Sequence, residues 1–178
     1  AGGYTGDLTW ILKNIDIFKN NNLFDAIFHK DLFGNRTPLL YVINNFVNPF
    51  FFDVDKFRIS LFIFSFLGPL FLYLCLSLKF KNISKPIIFL LSLSILLSPF
   101  YRTTAFWGLN ENYGIISVLI SIFFFNLFIS SKFIEHKKNI IFFLLITFSS
   151  LTIYFDQKLV IVTIFIFVSI LNLKNNLI

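Results

Sequence analysis

Apolar and polar residues follow one another along the chain in long blocks. After a mixed N-terminal region, five apolar segments can be marked, at 57–78, 86–100, 114–130, 140–155 and 159–173. A helix needs roughly 17 to 25 mainly apolar residues to cross a bilayer. The first, third and fourth segments are near or above that length, whereas the second and fifth are short. We therefore predict an all-α polytopic membrane protein with about five transmembrane helices over 57–178.

Residues 1–56 form a different kind of segment, with mixed charge and an amphipathic pattern. A helix there would suit either of two positions, the membrane interface with Trp10 at headgroup depth or a packed position against neighbouring helices. Turns are predicted at 20–22 and 34–38, where Asn, Gly and Pro cluster. The apolar stripe that predicts the helix consists of Leu8, Ile11, Leu12, Ile15 and Phe18.

The composition identifies lipid as the solvent of the apolar segments. Hydrophobic residues make up 57% of the chain and charged residues only 13%, with 28 phenylalanines among 178 residues. A soluble domain usually has about 25% charged residues. Even a 150-residue soluble domain buries only about 70% of its unfolded surface, so one aqueous core could not hide these side chains. The composition excludes an ordinary soluble domain.

The positions of the basic residues predict which loops are cytoplasmic. The net charge is +6, but the lysines lie beside apolar segments and not on a polar, aromatic-studded face, which argues against a nucleic-acid partner. Positive-inside counting places the lysine-rich loops in the cytoplasm. The N-terminal region and the connections 98–114 and 154–158 are then extracytoplasmic. The lysines that carry this argument are Lys79, Lys81, Lys85, Lys132, Lys137, Lys138 and Lys174.

Cysteine and methionine usage adds two expectations. The single cysteine, Cys75, lies in an apolar segment, so no disulfide framework or Cys/His metal site is predicted. The chain contains no methionine and begins with Ala1 and a polar stretch. We therefore expect a fragment of a longer protein, with further elements at both ends.

Asp7 is the first candidate for chemistry, at the end of the stretch GYTGD. A carboxylate can act as a general base that accepts a proton from an attacking hydroxyl. Asp7 also directly precedes the predicted helix LTWILKNI, where it would satisfy free backbone N–H groups as an N-cap. Both interpretations remain open on the sequence alone.

Arg36 lies in GNRTPLLYVIN, just before an apolar helix. Its planar guanidinium can bind phosphate oxygens with two parallel hydrogen bonds. Equally, Arg36 could reach lipid headgroups as an interfacial anchor or pair with Asp31. The sequence therefore identifies Arg36 as a candidate phosphate-binding residue, and the phosphate could belong to a membrane lipid or to a substrate.

The connection SPFYRTTAFWGLNENYG at 98–114 collects polar and aromatic residues in a chain that has few of them. Arginine binds phosphate, aromatic rings stack on sugar faces, and amides and carboxylates bind sugar hydroxyls. Aromatic residues also form belts at membrane interfaces, which is the alternative explanation. The candidates are Arg102, Trp107, Asn110 and Glu111, and the YFDQK stretch around Asp156 is predicted to be a tight turn.

Two elements of the N-terminal region resemble a known family. GD at 6–7 is similar to the acidic motif in the first external loop of GT-C membrane glycosyltransferases, in the bacterial branch related to protein mannosyltransferases and aminoarabinose transferases. RTPLLY at 36–41 resembles the basic, proline-containing element that precedes an aromatic helix in that branch. Leu8 stands where a second acid is frequent, and Arg36 and Thr37 stand where Lys and a first Pro are frequent.

The resemblance implies an envelope enzyme of the bacterial inner membrane that moves a sugar from a polyprenyl-phosphate donor to an extracytoplasmic glycan, lipid or protein. It implies Asp7 as the catalytic base and Arg36 and Arg102 as residues for the donor phosphate. Trp107, Asn110 and Glu111 would line the sugar or acceptor site. No cofactor is predicted, since the lipid-linked sugar is the donor substrate; no residue is assigned to a metal, and dependence on a divalent metal is left open.

Three alternatives remain beside this hypothesis. An O-antigen polymerase or ligase also combines many spans with external arginines. A transporter or flippase would place ionisable groups near mid-membrane, whereas the polar residues inside these segments are mostly Ser, Thr and Asn126. A membrane scaffold without catalytic function would not bring Asp7, Arg36 and Arg102 together.

Overall fold

The computed structural model describes residues 7–32, 38–130 and 135–175, and every regular element in these ranges is helical. The all-α prediction is confirmed for this part of the chain. Short 3-10 turns, Ser94–Leu97 and Gln157–Leu159, connect some of the helices. The helices are α1 (Asp7–Asn20), α2 (Leu23–Ile27), α3 (Leu39–Val47), α4 (Val54–Ser65), α5 (Leu67–Lys79), α6 (Lys85–Leu93), α7 (Pro99–Trp107), α8 (Asn110–Ser130), α9 (Glu135–Phe155) and α10 (Val160–Asn175).

The N-terminal stripe forms part of a core. Ile11, Ile15 and Phe18 on α1 are buried, as the helical spacing predicts. Asn22 begins α2 by accepting a hydrogen bond from the backbone N–H of Asp25, so the break between α1 and α2 falls at the predicted asparagine turn. The predicted turn at 34–38 falls largely on 33–37, outside the described residues. The proposed interfacial position of Trp10 stays a prediction.

Three helices in the described ranges are long and apolar enough to cross a membrane. They are the joined pair α4–α5 (Val54–Lys79), α8 (Asn110–Ser130) and most of α9 (His136–Phe155), which correspond to the first, third and fourth predicted segments. Between 28% and 39% of each apolar window is buried inside the protein, so most of it faces outward. By length and composition, these helices are compatible with an integral membrane protein.

The second predicted span, 86–100, is not one straight helix. α6 and the 3-10 turn Ser94–Leu97 are followed by α7 at an angle of 68°, and the pair passes as a membrane span only if it is counted as one bent element. The break falls at Ser98, whose ψ is 119°. Pro99 disfavours helical geometry in the residue before it and cannot donate a backbone hydrogen bond. The predicted loop at 98–114 is therefore mostly helical, since it contains α7 and the start of α8.

The fifth predicted span, 159–173, corresponds to the apolar helical stretch Gln157–Asn172, which consists of the 3-10 turn and most of α10. At about 1.5 Å per residue it is too short to cross a hydrocarbon core of about 30 Å without help from flanking residues. The prediction of five spans is therefore not confirmed. The described residues contain three, or four with the bent pair.

The predicted extracytoplasmic elements meet at one end of the helix bundle. Asn44 of α3 donates a hydrogen bond to the Tyr113 hydroxyl near the start of α8. Asp156, at the end of α9, lies so close to Gly114 that an added Cβ there would be 2.9 Å from the Asp156 Cβ. α8 and α9 are thus antiparallel neighbours, and α1 and α3 cover the end where Tyr113 lies. Which side of the membrane this end faces stays a prediction.

Candidate functional site

A proline in the first long span helps to position α7. Pro69 has no N–H to donate to the carbonyl of Ser65, four residues earlier in the helix. The Tyr101 hydroxyl of α7 donates a hydrogen bond to that same carbonyl. Gly68 makes room for the tyrosine, because a Cβ there would be 2.0 Å from the hydroxyl oxygen. The junction of α4 and α5 thus holds α7 by a buried hydrogen bond.

A glycine turn fixes the other end of α7. Gly108 has φ 65°, in the left-handed region, and its N–H donates to the carbonyl of Ala105. The N–H of Leu109 donates to the carbonyl of Thr104, which completes a Schellman motif. A Cβ at Gly108 would also lie 2.4 Å from Leu61 Cδ1. Only glycine suits both the backbone conformation and the close approach to α4.

Between α4 and α7 lies a cleft built around Arg58. Its guanidinium carbon is 4.6 Å from the centre of the Phe106 ring and 4.9 Å from that of Trp107, both within cation–π range. The cleft has a volume of about 450 Å³ and is otherwise mostly apolar. Its lining consists of Asp55, Arg58, Ile59, Phe62 and Phe106.

A second cleft of about 370 Å³ adjoins the first one and contains Arg102. The two clefts share Phe62 and Phe106, and Trp107 lines the second. We call the two together the arginine groove. Within the described ranges, neither Arg58 nor Arg102 forms an ion pair with a carboxylate, although Asp55 lies in the first cleft. The groove therefore combines an apolar surface with two guanidinium groups that form no ion pair with any described carboxylate, Asp55 included.

The opposite face of α4 packs against neutral polar residues of α3 and α8, whose hydrogen bonds are made within the protein. Asn44 donates to the Tyr113 hydroxyl at 3.0 Å and to the carbonyl of Leu40 at 2.8 Å. Asn48 donates to Asn44 Oδ1 at 3.2 Å and to the Ser60 hydroxyl at 2.6 Å. These residues line a small, mainly apolar pocket of about 270 Å³. We call them the asparagine network.

The first turn of α8 buries several polar atoms. Asn110 is 5% exposed and Asn112 is 0% exposed. Within the described part of the chain, Asn110 Oδ1, Glu111 Oε2 and both side-chain polar atoms of Asn112 have no hydrogen-bond partner. A buried polar group without a partner costs about 1 to 3 kcal/mol, so such groups usually bind water or a ligand. This turn lies at the same end of the bundle as the asparagine network, since Tyr113 of that network follows it in α8.

The structure brings together some of the predicted site residues. Arg102 and Trp107 line one cleft. Asn110 and Glu111 begin the next helix, but they are not among the described residues that line the arginine groove. Asp7 is the first residue of α1, and its side chain lies outside the described atoms. Arg36 lies outside the described residues. The roles assigned to all six residues stay predictions.

Arg58 is the residue that sequence reasoning did not select. It is one of three arginines in a chain with twelve lysines, and it lies at helical spacing with Asp55, Ile59 and Phe62. An arginine beside Ile59 and Phe62 on one helical face was the available signal. Its neighbours Phe106 and Trp107 come from a helix more than forty residues later, so the sequence could not show these contacts.

No metal site was found among the described residues, where no group of three or more His, Cys, Asp or Glu could hold an ion. No protein-family model, curated protein or solved structure matches the chain. A functional hypothesis must therefore rest on the residues themselves and on the resemblance of their pattern.

Proposed function

We propose that the protein is an integral-membrane glycosyltransferase that moves a sugar from a polyprenyl-phosphate donor to an extracytoplasmic glycan, lipid or protein acceptor. The observation that supports it is the arginine groove, where two arginines without carboxylate partners among the described residues adjoin apolar surface at one end of the long span α4–α5. A lipid phosphate has the matching chemistry, an anionic head on an apolar chain. In this proposal the groove faces the extracytoplasmic side of a bacterial inner membrane.

The residues support a single-displacement reaction. Asp7 accepts the proton of the acceptor hydroxyl as its oxygen forms a bond to the anomeric carbon of the donor sugar. The bond between that carbon and the phosphate oxygen breaks, and polyprenyl phosphate leaves with the bonding electrons. Arg102, with Arg36, stabilises the charge on the leaving phosphate. Asn110 and Glu111 bind hydroxyls of the sugar or acceptor, and Trp107 forms part of the apolar wall.

The proposal is tested by Asp7→Asn in the full-length protein, with transfer from a radiolabelled polyprenyl-phosphate sugar measured in reconstituted vesicles. Asparagine keeps an oxygen that can cap α1 but cannot accept the proton. Loss of a general base lowers the rate by about 10² to 10⁴. We expect a loss of that size with unchanged thermal unfolding.

Asp16→Asn, on the exposed face of the same helix, is the matched control and should keep full activity. A wild-type rate for Asp7→Asn would reduce Asp7 to a structural role. If the wild-type protein transferred no sugar from any polyprenyl-phosphate donor, the transferase proposal would be wrong.

A further inference from the structure

We infer that Arg58 is the principal phosphate-binding residue of the arginine groove, and that Phe106 and Trp107 act on it as positioning residues. The ligand is a phosphate monoester or diester attached to an apolar chain. The inference shares only the groove with the proposed function. It would hold equally if the protein bound a lipid phosphate there for a different activity. It gives Trp107 a different role from the sugar contact that the sequence suggested.

The first step is the charge balance along α4. Lys56 forms an ion pair with Asp53 at 2.9 Å, and the hydrogen bond from Lys56 lowers the pKa of the Asp53 carboxyl. Two residues later, Arg58 has no carboxylate within ion-pair distance among the described residues. Aromatic rings compensate for only part of the lost hydration of a cation. Arg58 therefore retains the capacity to bind an anion from outside the chain.

The second step is the orientation of the guanidinium. The guanidinium carbon lies within cation–π distance of Phe106 and Trp107, whose ring planes are 80° apart, so the two rings restrict the group from two directions. The N–H donors lie in the guanidinium plane and form hydrogen bonds at its edges. Arg58 Nε is buried and has no hydrogen-bond partner within the described residues. Because a buried Nε cannot meet a ligand, the edge that binds phosphate is the one between the two terminal nitrogens, Nη1 and Nη2, which forms two parallel hydrogen bonds. The rings thus hold a bidentate donor in place before a ligand arrives.

The third step is the apolar surface beside the charge. Ile59 is 60% exposed and Phe62 is 43% exposed, and both line the cleft with Arg58. They belong to the span Val54–Lys79, so this surface continues along a membrane-crossing helix. A free phosphate ion would gain nothing from it, whereas the chain of a lipid phosphate would bury apolar area there. The groove therefore favours a lipid phosphate over inorganic phosphate.

The test measures binding of decyl phosphate and of inorganic phosphate to the purified full-length protein in dodecyl maltoside micelles. Titration calorimetry gives the affinity, with protein-free micelles subtracted. In a Trp10→Phe background, the fluorescence of Trp107 reports occupancy of the groove independently. We expect saturable binding of decyl phosphate that changes Trp107 fluorescence, and inorganic phosphate that binds at least tenfold more weakly.

Substitutions then separate Arg58 from its neighbours. Arg58→Gln should lower decyl phosphate affinity by about tenfold or more, and Arg58→Lys by about fivefold, because lysine lacks the planar fork. Lys56→Gln is the matched control on the same helix and should bind like the wild type. Trp107→Phe should retain most of the affinity, whereas Trp107→Ala should lose it although no phosphate donor is removed. If Arg58→Gln does not fold, Arg58→Lys still provides the test, provided that its thermal unfolding is the same as that of the wild type.

Wild-type affinity in both Arg58 variants would overturn the inference. Equal affinity for decyl phosphate and inorganic phosphate would overturn the lipid assignment. Binding of decyl phosphate that depends on Arg58, in a protein that transfers no sugar, would support the inference while the glycosyltransferase proposal fails.

Discussion

The two faces of α4 contain polar groups of opposite kinds. One face, with Asp55, Arg58, Ile59 and Phe62, turns to α7 and leaves its arginine without a carboxylate partner in the described ranges. The other face, with Phe57, Ser60, Leu61 and Phe64, turns to α3 and α8. There the asparagine network uses its hydrogen bonds within the protein.

The difference separates polar groups that stabilise the fold from those that are available to a ligand. In a membrane protein each satisfied amide replaces lost hydration and joins two helices, as Asn44 joins α3 to α8. A charged group that adjoins apolar surface and has no partner is costly, so its presence suggests a function. On this comparison, we propose that the asparagine network is structural and that the arginine groove binds the ligand.

The largest effect is expected for Asn44→Leu, which tests whether the asparagine network stabilises the fold. The substitution removes the hydrogen-bond partner of the buried Tyr113 hydroxyl. It also removes the side-chain oxygen that accepts a hydrogen bond from Asn48. Because a buried polar group without a partner costs about 1 to 3 kcal/mol, we expect a loss of about 3 kcal/mol in the free energy of unfolding. Chemical denaturation in mixed micelles measures it. Decyl phosphate affinity of the folded protein should stay unchanged.

Asn172→Leu, on the exposed face of α10, is the control for Asn44→Leu and should leave stability near the wild-type value. If Asn44→Leu were as stable as the wild type, the asparagine network would not be a structural element. If it abolished phosphate binding in a folded protein, the two faces of α4 would not be separate.

A smaller effect is expected for Gly108→Ala. This substitution affects both faces of α4, because Gly108 contacts Leu61 on one face and ends α7, which covers the other. The new Cβ meets a left-handed backbone and the side chain of Leu61. We expect a loss of about 2 kcal/mol in stability, from the strained backbone conformation and the close contact. Because Gly108 ends α7, phosphate affinity should fall as well. Denaturation and calorimetry on one sample check both, and wild-type values for both would contradict the role of this turn.

The smallest effect is expected for Arg102→Lys. Arg102 is exposed, and among the described contacts it has no cation–π contact like those of Arg58. We expect decyl phosphate affinity to fall by about threefold, because a lysine keeps the charge but not the bidentate geometry. Calorimetry on Arg102→Lys beside Arg58→Lys ranks the two arginines. A larger loss for Arg102→Lys would reverse the ranking and make Arg102 the principal phosphate residue.

The sequence determined the elements whose cause is local. Composition and segment length predicted a helical membrane protein, and three apolar blocks became long helices because each supplies enough apolar residues in one run. The spacing of Ile11, Ile15 and Phe18 predicted the buried face of α1. The loop at 98–114 was predicted wrongly, although Ser98, Pro99 and Gly108 are recognisable helix-boundary residues that delimit α7.

Only the tertiary structure decided which polar residues are satisfied and which are available. Arg58 and Trp107 lie far apart in the sequence, and their contact depends on the Tyr101 hydroxyl reaching a carbonyl that Pro69 leaves free. Asn44 and Tyr113 are also distant in sequence, and they meet only when α3 covers the end of α8. Residue types specify what each side chain can bind, but whether a partner is already within reach depends on helix packing between distant segments.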